Sequence, residues 1–190
     1  MSTVTQLIST VFKVSCVLHV SSQTIVLFLD LRKAFDKVPH RKSLFELEQI
    51  GLPYEMMQWI RAYLSGRTQF VDIRGCSSDV LCVTSSVPQG SVLGPLLFLI
   101  YINDLVDLMH SEVSVRLFAV DCVVFIEILS TDGHALLQNA LLAIEYWCKI
   151  WGMELKAEKT MLLQITSKKT TSIFPYWLQN NLVNETESYK

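Results

Sequence analysis

The stretch Thr24-Ile-Val-Leu-Phe-Leu-Asp-Leu31 constrains this chain more than any other. It is an apolar run rich in Ile, Val, Leu and Phe, so it is predicted as a buried strand. Its one carboxylate, Asp30, comes at the C-terminal end, where a strand can present a side chain to a site. A buried strand needs a core around it. At 190 residues and 51% hydrophobic, the chain has the material for one domain's core.

That hydrophobicity does not point to a membrane. The longest apolar run, Val92 to Ile102, contains Gly94 and Pro95 and is too short to span a bilayer. Residues 1–20 have neither a basic leading segment nor a clear small-residue cleavage site, so no signal peptide is expected. The five cysteines (16, 76, 82, 122 and 148) are odd in number and form no C-x-x-C pair. This argues against a disulfide framework and a closed zinc site, and for reduced thiols in an intracellular protein of nucleus or cytoplasm, not a secreted one.

A formal net charge of −2 leaves no overall basic footprint. Locally, residues 32–42 carry Arg32, Lys33, Lys37, Arg41 and Lys42 against Asp36 alone. This is either a solvated helix face or a contact for an acidic partner.

The remaining pattern predicts helices broken near Pro39 and continuing over Ser43–Ile50, with Gly51 as a stop. Another runs from Pro53 to Leu64, with Met56, Ile60, Tyr63 and Leu64 as its buried stripe. Strands are expected at Phe70–Arg74 and Val80–Thr84, joined by the turn at 75–79, and a helix over Leu96–Met109. Val113–Ala119 and Cys122–Leu129 have strand character. Asp132 is a candidate cap for a helix reaching Trp151, with Leu137, Leu141, Ile144 and Trp147 on one face. Residues 160–166 read as the last strand, and the polar stretch from Ser167 as a loose tail. The order β-α-α-α-β-β-α-β-β-α-β describes an α+β domain, helices packed on an antiparallel sheet.

Three segments in order carry a resemblance: Phe28-Leu-Asp-Leu-Arg-Lys-Ala-Phe-Asp36, Ser86-Val-Pro-Gln-Gly-Ser-Val-Leu-Gly-Pro95 and Arg116-Leu-Phe-Ala-Val-Asp-Cys122. Together with Gly51-Leu-Pro53, Tyr63-Leu-Ser-Gly-Arg-Thr-Gln69 and Trp151-Gly-Met-Glu-Leu-Lys-Ala-Glu-Lys-Thr160, they resemble the palm of a reverse transcriptase of LINE-type (non-LTR) retrotransposons. The resemblance implies a palm-like domain over 24–166, a remnant of the fingers region over 1–23, and a polar tail over 167–190. Only 29 residues precede Asp30 and nothing after residue 166 resembles a thumb, so fingers and thumb are expected to be largely missing. The implied activity is Mg²⁺-dependent, RNA-templated DNA synthesis, with an RNA template, a DNA primer and a deoxynucleoside triphosphate as partners. Oligomeric state is not indicated.

Residue roles follow from the same resemblance. Asp30 and Asp121 stand at metal-ligand positions. Two-metal nucleotidyl transfer needs carboxylates converging from separate strands, because Mg²⁺ demands hard oxygen donors. Phe35 is placed to exclude a 2′-hydroxyl, and Gln89 and Gly90 to meet nucleotide and template. Arg67 is a phosphate contact, and Lys159 the acid for the pyrophosphate leaving group. Three positions depart from the pattern. Val120 replaces the first Asp of Phe/Tyr-Ala-Asp-Asp, Ser86 stands where Gly is usual, and Lys156 where Asn is usual. Valine supplies no oxygen and suits a tight hairpin turn poorly, so catalysis is expected to be impaired. The alternatives are a non-catalytic RNA- or protein-binding module acting through 32–42, or a non-functional remnant.

Overall fold

The structure, a computed structural model, describes residues 23–118, 120–130, 132–166 and 173–186. Its elements fall into two compact units. The first comprises residues up to Arg32, Asp104–Ile150 and from Glu154 onward; the second is Lys33–Asn103 with Trp151–Met153.

The first unit is built on the strand that opened the sequence reading. β1 (Gln23–Asp30) lies in the middle of a five-stranded sheet with the order β11-β8-β1-β7-β6. β7 (Asp121–Ile128) and β8 (Met161–Thr166) flank it, both antiparallel, and β6 (Ser114–Phe118) pairs antiparallel with β7. β1 buries Ile25, Val26 and Leu27 in succession, and Leu29, so both of its faces are covered. Each such side chain contributes roughly 1.5–3 kcal/mol by leaving water. This is why its pattern reads as a continuous apolar run rather than an alternation.

The long helix of this unit, α5 (Asp132–Trp151), buries Leu137, Leu141, Ile144 and Trp147, as its spacing predicts. Asp132 lies in the first helical turn. Trp147 Nε1 donates to Asp104 Oδ1 at 2.9 Å.

Over residues 173–186 the sequence expectation fails; the rest of the expected tail, 167–172 and 187–190, lies outside the described residues. β8 is not the last strand, and residues 173–186 are not loose. β9 (Trp177–Leu178) and β10 (Asn181–Leu182) form a small hairpin, and β11 (Asn184–Thr186) adds to β8 in parallel, making the sheet mixed. Tyr176, Leu178 and Val183 are buried. His134 Nδ1 and the Tyr176 hydroxyl are 2.7 Å apart, and Gln138 bonds the backbone of Trp177 in both directions. The apolar run Ile173-Phe-Pro-Tyr-Trp-Leu178, with Leu182-Val183, supplies the residues that anchor this segment between polar flanks.

The second unit is mainly helical, with α1 (Ala34–Lys37), α2 (His40–Gln49), α3 (Tyr54–Leu64) and α4 (Leu93–Ile102). A 3₁₀ turn continues α4 over Asn103–Leu108, so the predicted 96–109 helix starts earlier and tightens at its end. On α3 the buried positions are Ile60 and Leu64, with Met57 half-buried; Met56 is exposed, one position off the predicted stripe. Between α3 and α4, the expected pair of strands is a broken hairpin. β2 (Thr68–Gln69) pairs with β5 (Leu81–Cys82), and β3 (Asp72–Ile73) with β4 (Cys76–Ser77). The turn therefore closes at Arg74-Gly75, earlier than predicted, and the hairpin is exposed throughout.

Cys122 and Cys148 are buried free thiols, pushed up to about 12 chiefly by burial, while Cys76 and Cys82 are free and exposed. Among the described residues no helix is long and apolar enough to cross a membrane.

Candidate active site

In the first unit the register brings two of the expected residues together. Asp30, last in β1, lies directly opposite Asp121, first in β7. Opposed residues on antiparallel strands have Cβ atoms about 4.5–5.5 Å apart. Two carboxylates at about 5 Å repel by about 1–3 kcal/mol at an effective dielectric between 80 and 20. A cation or water between carboxylates at such a spacing lowers that cost.

The hairpin before Asp121 explains its position. Phe118 pairs with Asp121, so two residues close the connection, and Val120 is the second. Val120 lies in the turn immediately before Asp121. It is half-buried and adds no donor to the carboxylate pair.

The cation at Asp30 comes from the chain itself. Lys156 Nζ lies 2.8 Å from Asp30 Oδ2, and the two side chains are only 25% and 23% exposed. The backbone supports this pair: Lys156 N donates to Asp30 O at 2.9 Å, and Arg32 N to Glu154 O at 2.7 Å. Leu31 bridges Leu155 between them. Beyond the bridge, the exposed Arg32 and Glu158 pair at 3.2 Å. The Glu158 carboxyl is held below its usual range, first by a backbone hydrogen bond within its own residue and then by Arg32.

Lys159 ends a 3₁₀ turn over Ala157–Lys159 and is exposed; the lysine that reaches Asp30 is Lys156. Asp121 is exposed, and its carboxylate has no hydrogen bond or ion pair among the described residues.

A pair of divalent ions does not fit these donors. Two carboxylates remain of an expected three, one already holds an ammonium, and the third position is a hydrocarbon. Among the described residues no cluster of three or more His, Cys, Asp or Glu could hold a metal ion.

In the second unit the other two motifs are stitched together. Val87 N donates to Phe35 O at 2.9 Å, Ser86 N to Val38 O at 2.8 Å, and Ser85 Oγ to Asp36 O at 2.9 Å. Gln89 Nε2 donates to Asp36 Oδ1 at 3.0 Å. Asp36, the lone acid of the basic stretch and the end of the first motif, therefore positions Gln89. Phe35 is half-buried and packs on Phe98, with ring centroids 4.7 Å apart and planes tilted 42°. Gly90 is exposed with φ +79°, and nothing lies within 4 Å of where a Cβ would stand.

Two further residues shape this loop. Ser91 Oγ donates to Pro88 O at 2.6 Å and accepts from Gly94 N at 2.9 Å, closing the start of α4. A Cβ on Gly94 would stand 2.5 Å from Pro88 O, so glycine is required there. The sequence held this signal in the spacing Pro88-x-x-Ser91-x-x-Gly94.

Arg67, at the base of the hairpin, is half-buried, and its Nη1 has no hydrogen-bond partner among the described residues. The basic stretch is less uniform than its composition suggests. Lys33 has a left-handed backbone, and Lys42 Nζ lies 6.0 Å from the centroid of the Trp151 ring. Lys33 and Arg41 are exposed.

Comparison with known proteins bears on the family and the fold. Residues 2–177 match the family model described as reverse transcriptase (RNA-dependent DNA polymerase). The RNA-directed DNA polymerase from mobile element jockey of Drosophila melanogaster is 28% identical over 173 residues, covering 86% of this chain and 18% of its own length. The Drosophila funebris counterpart is 32% identical over 150 residues, 74% of this chain and 16% of the relative. The chain thus spans less than a fifth of these curated relatives. Among solved structures, apo telomerase from Candida tropicalis truncated from its C-terminal domain matches with a TM-score of 0.67 at 10% identity, over 92% of this chain and 38% of that one. Telomerase from the same organism in complex with a fragment of telomeric RNA gives 0.63 at 10% identity, over 100% of this chain and 34% of that chain. At that identity the likeness concerns the fold alone.

Proposed function

This chain belongs to the reverse transcriptase (RNA-dependent DNA polymerase) family, as a reverse transcriptase domain of non-LTR retrotransposons, and from that premise we propose that it retains the palm's scaffold while lacking nucleotidyl transfer. One observation carries the proposal. Asp30 and Asp121 face each other across β1 and β7, yet Val120 fills the third ligand position and Lys156 holds one oxygen of Asp30.

The family uses divalent metal, Mg²⁺ by expectation, to activate the primer hydroxyl and stabilise the transferred phosphoryl group. Here the remaining donor set does not support that step. Loss of even an indirect metal partner costs about 10–100-fold in affinity or activity, and loss of a direct ligand costs more.

RNA template, DNA primer and dNTP are the partners this reading assigns. Phe35, fixed on Phe98, would meet the sugar; Gln89, oriented by Asp36, and the open backbone at Gly90 would meet nucleotide and template. The unpartnered Nη1 of Arg67 suits a phosphate oxygen. Lys159, exposed at its turn, is placed to donate a proton to a leaving pyrophosphate only if a triphosphate binds.

Primer extension on poly-rA with oligo-dT, in Mg²⁺ or Mn²⁺, tests this. No extension is expected from the chain with Val120, and robust incorporation would overturn the proposal.

A second reading, a module that binds RNA without catalysis, is favoured by the exposed Lys33 and Arg41. It requires salt-dependent RNA affinity that falls when both are changed to Glu. Affinity unchanged by that double substitution would rule it out.

A further inference from the structure

We propose that Lys156 is a resident cation for the carboxylate pair, taking the oxygen a divalent ion would need, so that this site is metal-independent by virtue of Lys156 as well as Val120. The proposal rests on the reading of Asp30 and Asp121 given above, and it adds a second, separable lock on the same site.

Three features make Lys156 more than a passing surface partner. Its ammonium lies 2.8 Å from Asp30 Oδ2, with about three quarters of both side chains out of solvent. Both ends of the residue attach to Asp30, since the backbone N–H of Lys156 donates to the Asp30 carbonyl at 2.9 Å. The segment around it is fixed by the Leu31–Leu155 bridge and the Arg32 to Glu154 bond, so the lysine's starting point cannot drift. A pair held this way is pre-organised and resists exchange better than an isolated exposed one.

Charge points the same way. Formally, Asp30 and Asp121 carry −2 and Lys156 returns +1, leaving −1 to attract an ion. Val120→Asp alone raises that to −2, but an incoming ion must still displace an ammonium from its first ligand. Lys156→Asn, the residue usual at this position in the family pattern, removes that competitor and supplies a neutral side chain.

The test uses the full chain and Mn²⁺ itself, read by loss of the free-ion EPR signal. Four forms are compared: the natural chain, Val120→Asp, Lys156→Asn and the double variant. Little binding is expected from the natural chain. The double variant should bind at least about 10-fold tighter than Val120→Asp, in line with the usual weight of a ligand's supporting partner. Binding by Val120→Asp as tight as that of the double variant would overturn the role of Lys156 and leave the reading of the carboxylate pair intact. A folded double variant that binds no Mn²⁺ would overturn the site itself, and the reading with it.

Thermal melting of the natural chain in Mn²⁺ against EDTA needs no variant to fold. No shift is expected. Stabilisation by Mn²⁺ that Asp30→Asn abolishes would overturn the proposal on its own.

Discussion

Ser86 holds φ +106°, a region that L-residues with a Cβ rarely occupy, and the family pattern carries glycine at this position. Strain of this kind costs about 1–3 kcal/mol. Replacing Ser86 with glycine relieves it but returns about 0.5–1 kcal/mol of conformational freedom to the unfolded chain. The hydroxyl has no hydrogen bond among the described residues, so no side-chain contact is lost. Both anchors at this residue are backbone atoms: Ser86 N donates to Val38 O at 2.8 Å, and Ser86 O lies 2.9 Å from His40 Nε2. They survive the change. The net is a gain of about 1 kcal/mol, which for a chain of this size raises Tm by about 2–4 °C. Differential scanning calorimetry of Ser86→Gly beside Ser86→Ala measures it. Alanine keeps the Cβ and should stay within about 0.5 kcal/mol of the natural chain. A glycine variant no more stable than the alanine one would refute the assignment of strain to this φ.

Three other outcomes follow from particular contacts. Gly94→Ala puts a Cβ 2.5 Å from the Pro88 carbonyl, an overpacking worth about 1–3 kcal/mol, so chemical denaturation should show a loss of that size. The Asp104 carboxyl is pushed above the ordinary 3.8, first by burial, so its stabilising contribution is full below 3.8 and lost as pH rises through the raised native value. Asp104→Asn, which can keep accepting from Trp147 Nε1, should therefore raise Tm at neutral pH and lose that advantage below about pH 4; no gain at neutral pH would count against the burial cost. The His134 imidazole is pushed below 6.5 by burial, so stability is full above 6.5 and lost as pH falls through the lowered native value. Hydrogen exchange at Trp177–Thr186 should then accelerate on acidification more than exchange in β1, because His134 meets Tyr176 at 2.7 Å; equal acceleration would contradict the coupling.

Most of the sheet could be read from sequence because its inner strands are buried on both faces and so appear as short, nearly continuous apolar runs. β1, β7 and α5 lie within a residue or two of their predicted ranges, for the burial of Leu27, Val124 and Leu141 is written in local periodicity. The segment 173–186 carries a local signal, the apolar run Ile173-Phe-Pro-Tyr-Trp-Leu178, that the polar residues on either side of it obscure. Its partners are not local: Tyr176 meets His134 and Trp177 meets Gln138 on α5, and β11 pairs with β8. The slip on α3 from Met56 to Met57 is smaller in kind: adjacent methionines leave the helical phase ambiguous by 100°.

The candidate site divides along the same line. Motif positions such as Asp30, Asp121, Phe35 and Gln89 are recognisable because each sits in a local pattern, yet what each side chain touches is not local. Asp30 and Lys156 are separated by 126 residues, and only the antiparallel pairing of β1 with β8, extended by the Leu31–Leu155 bridge, makes them neighbours. Sequence reading therefore noted Lys156 as a departure at one position and Val120 as another, with nothing to connect them. In the fold both act on one carboxylate pair: Val120 withholds an acidic donor, and Lys156 supplies the positive charge that a depleted pair still needs. A polymerase palm must hold acidic side chains close together against their repulsion, with metal ions as the usual counter-charge. Once one acid is lost, a single ammonium can balance what is left, so either substitution lowers the cost of keeping the other. That coupling is why Val120→Asp alone is expected to hold a divalent ion more weakly than the same change combined with Lys156→Asn.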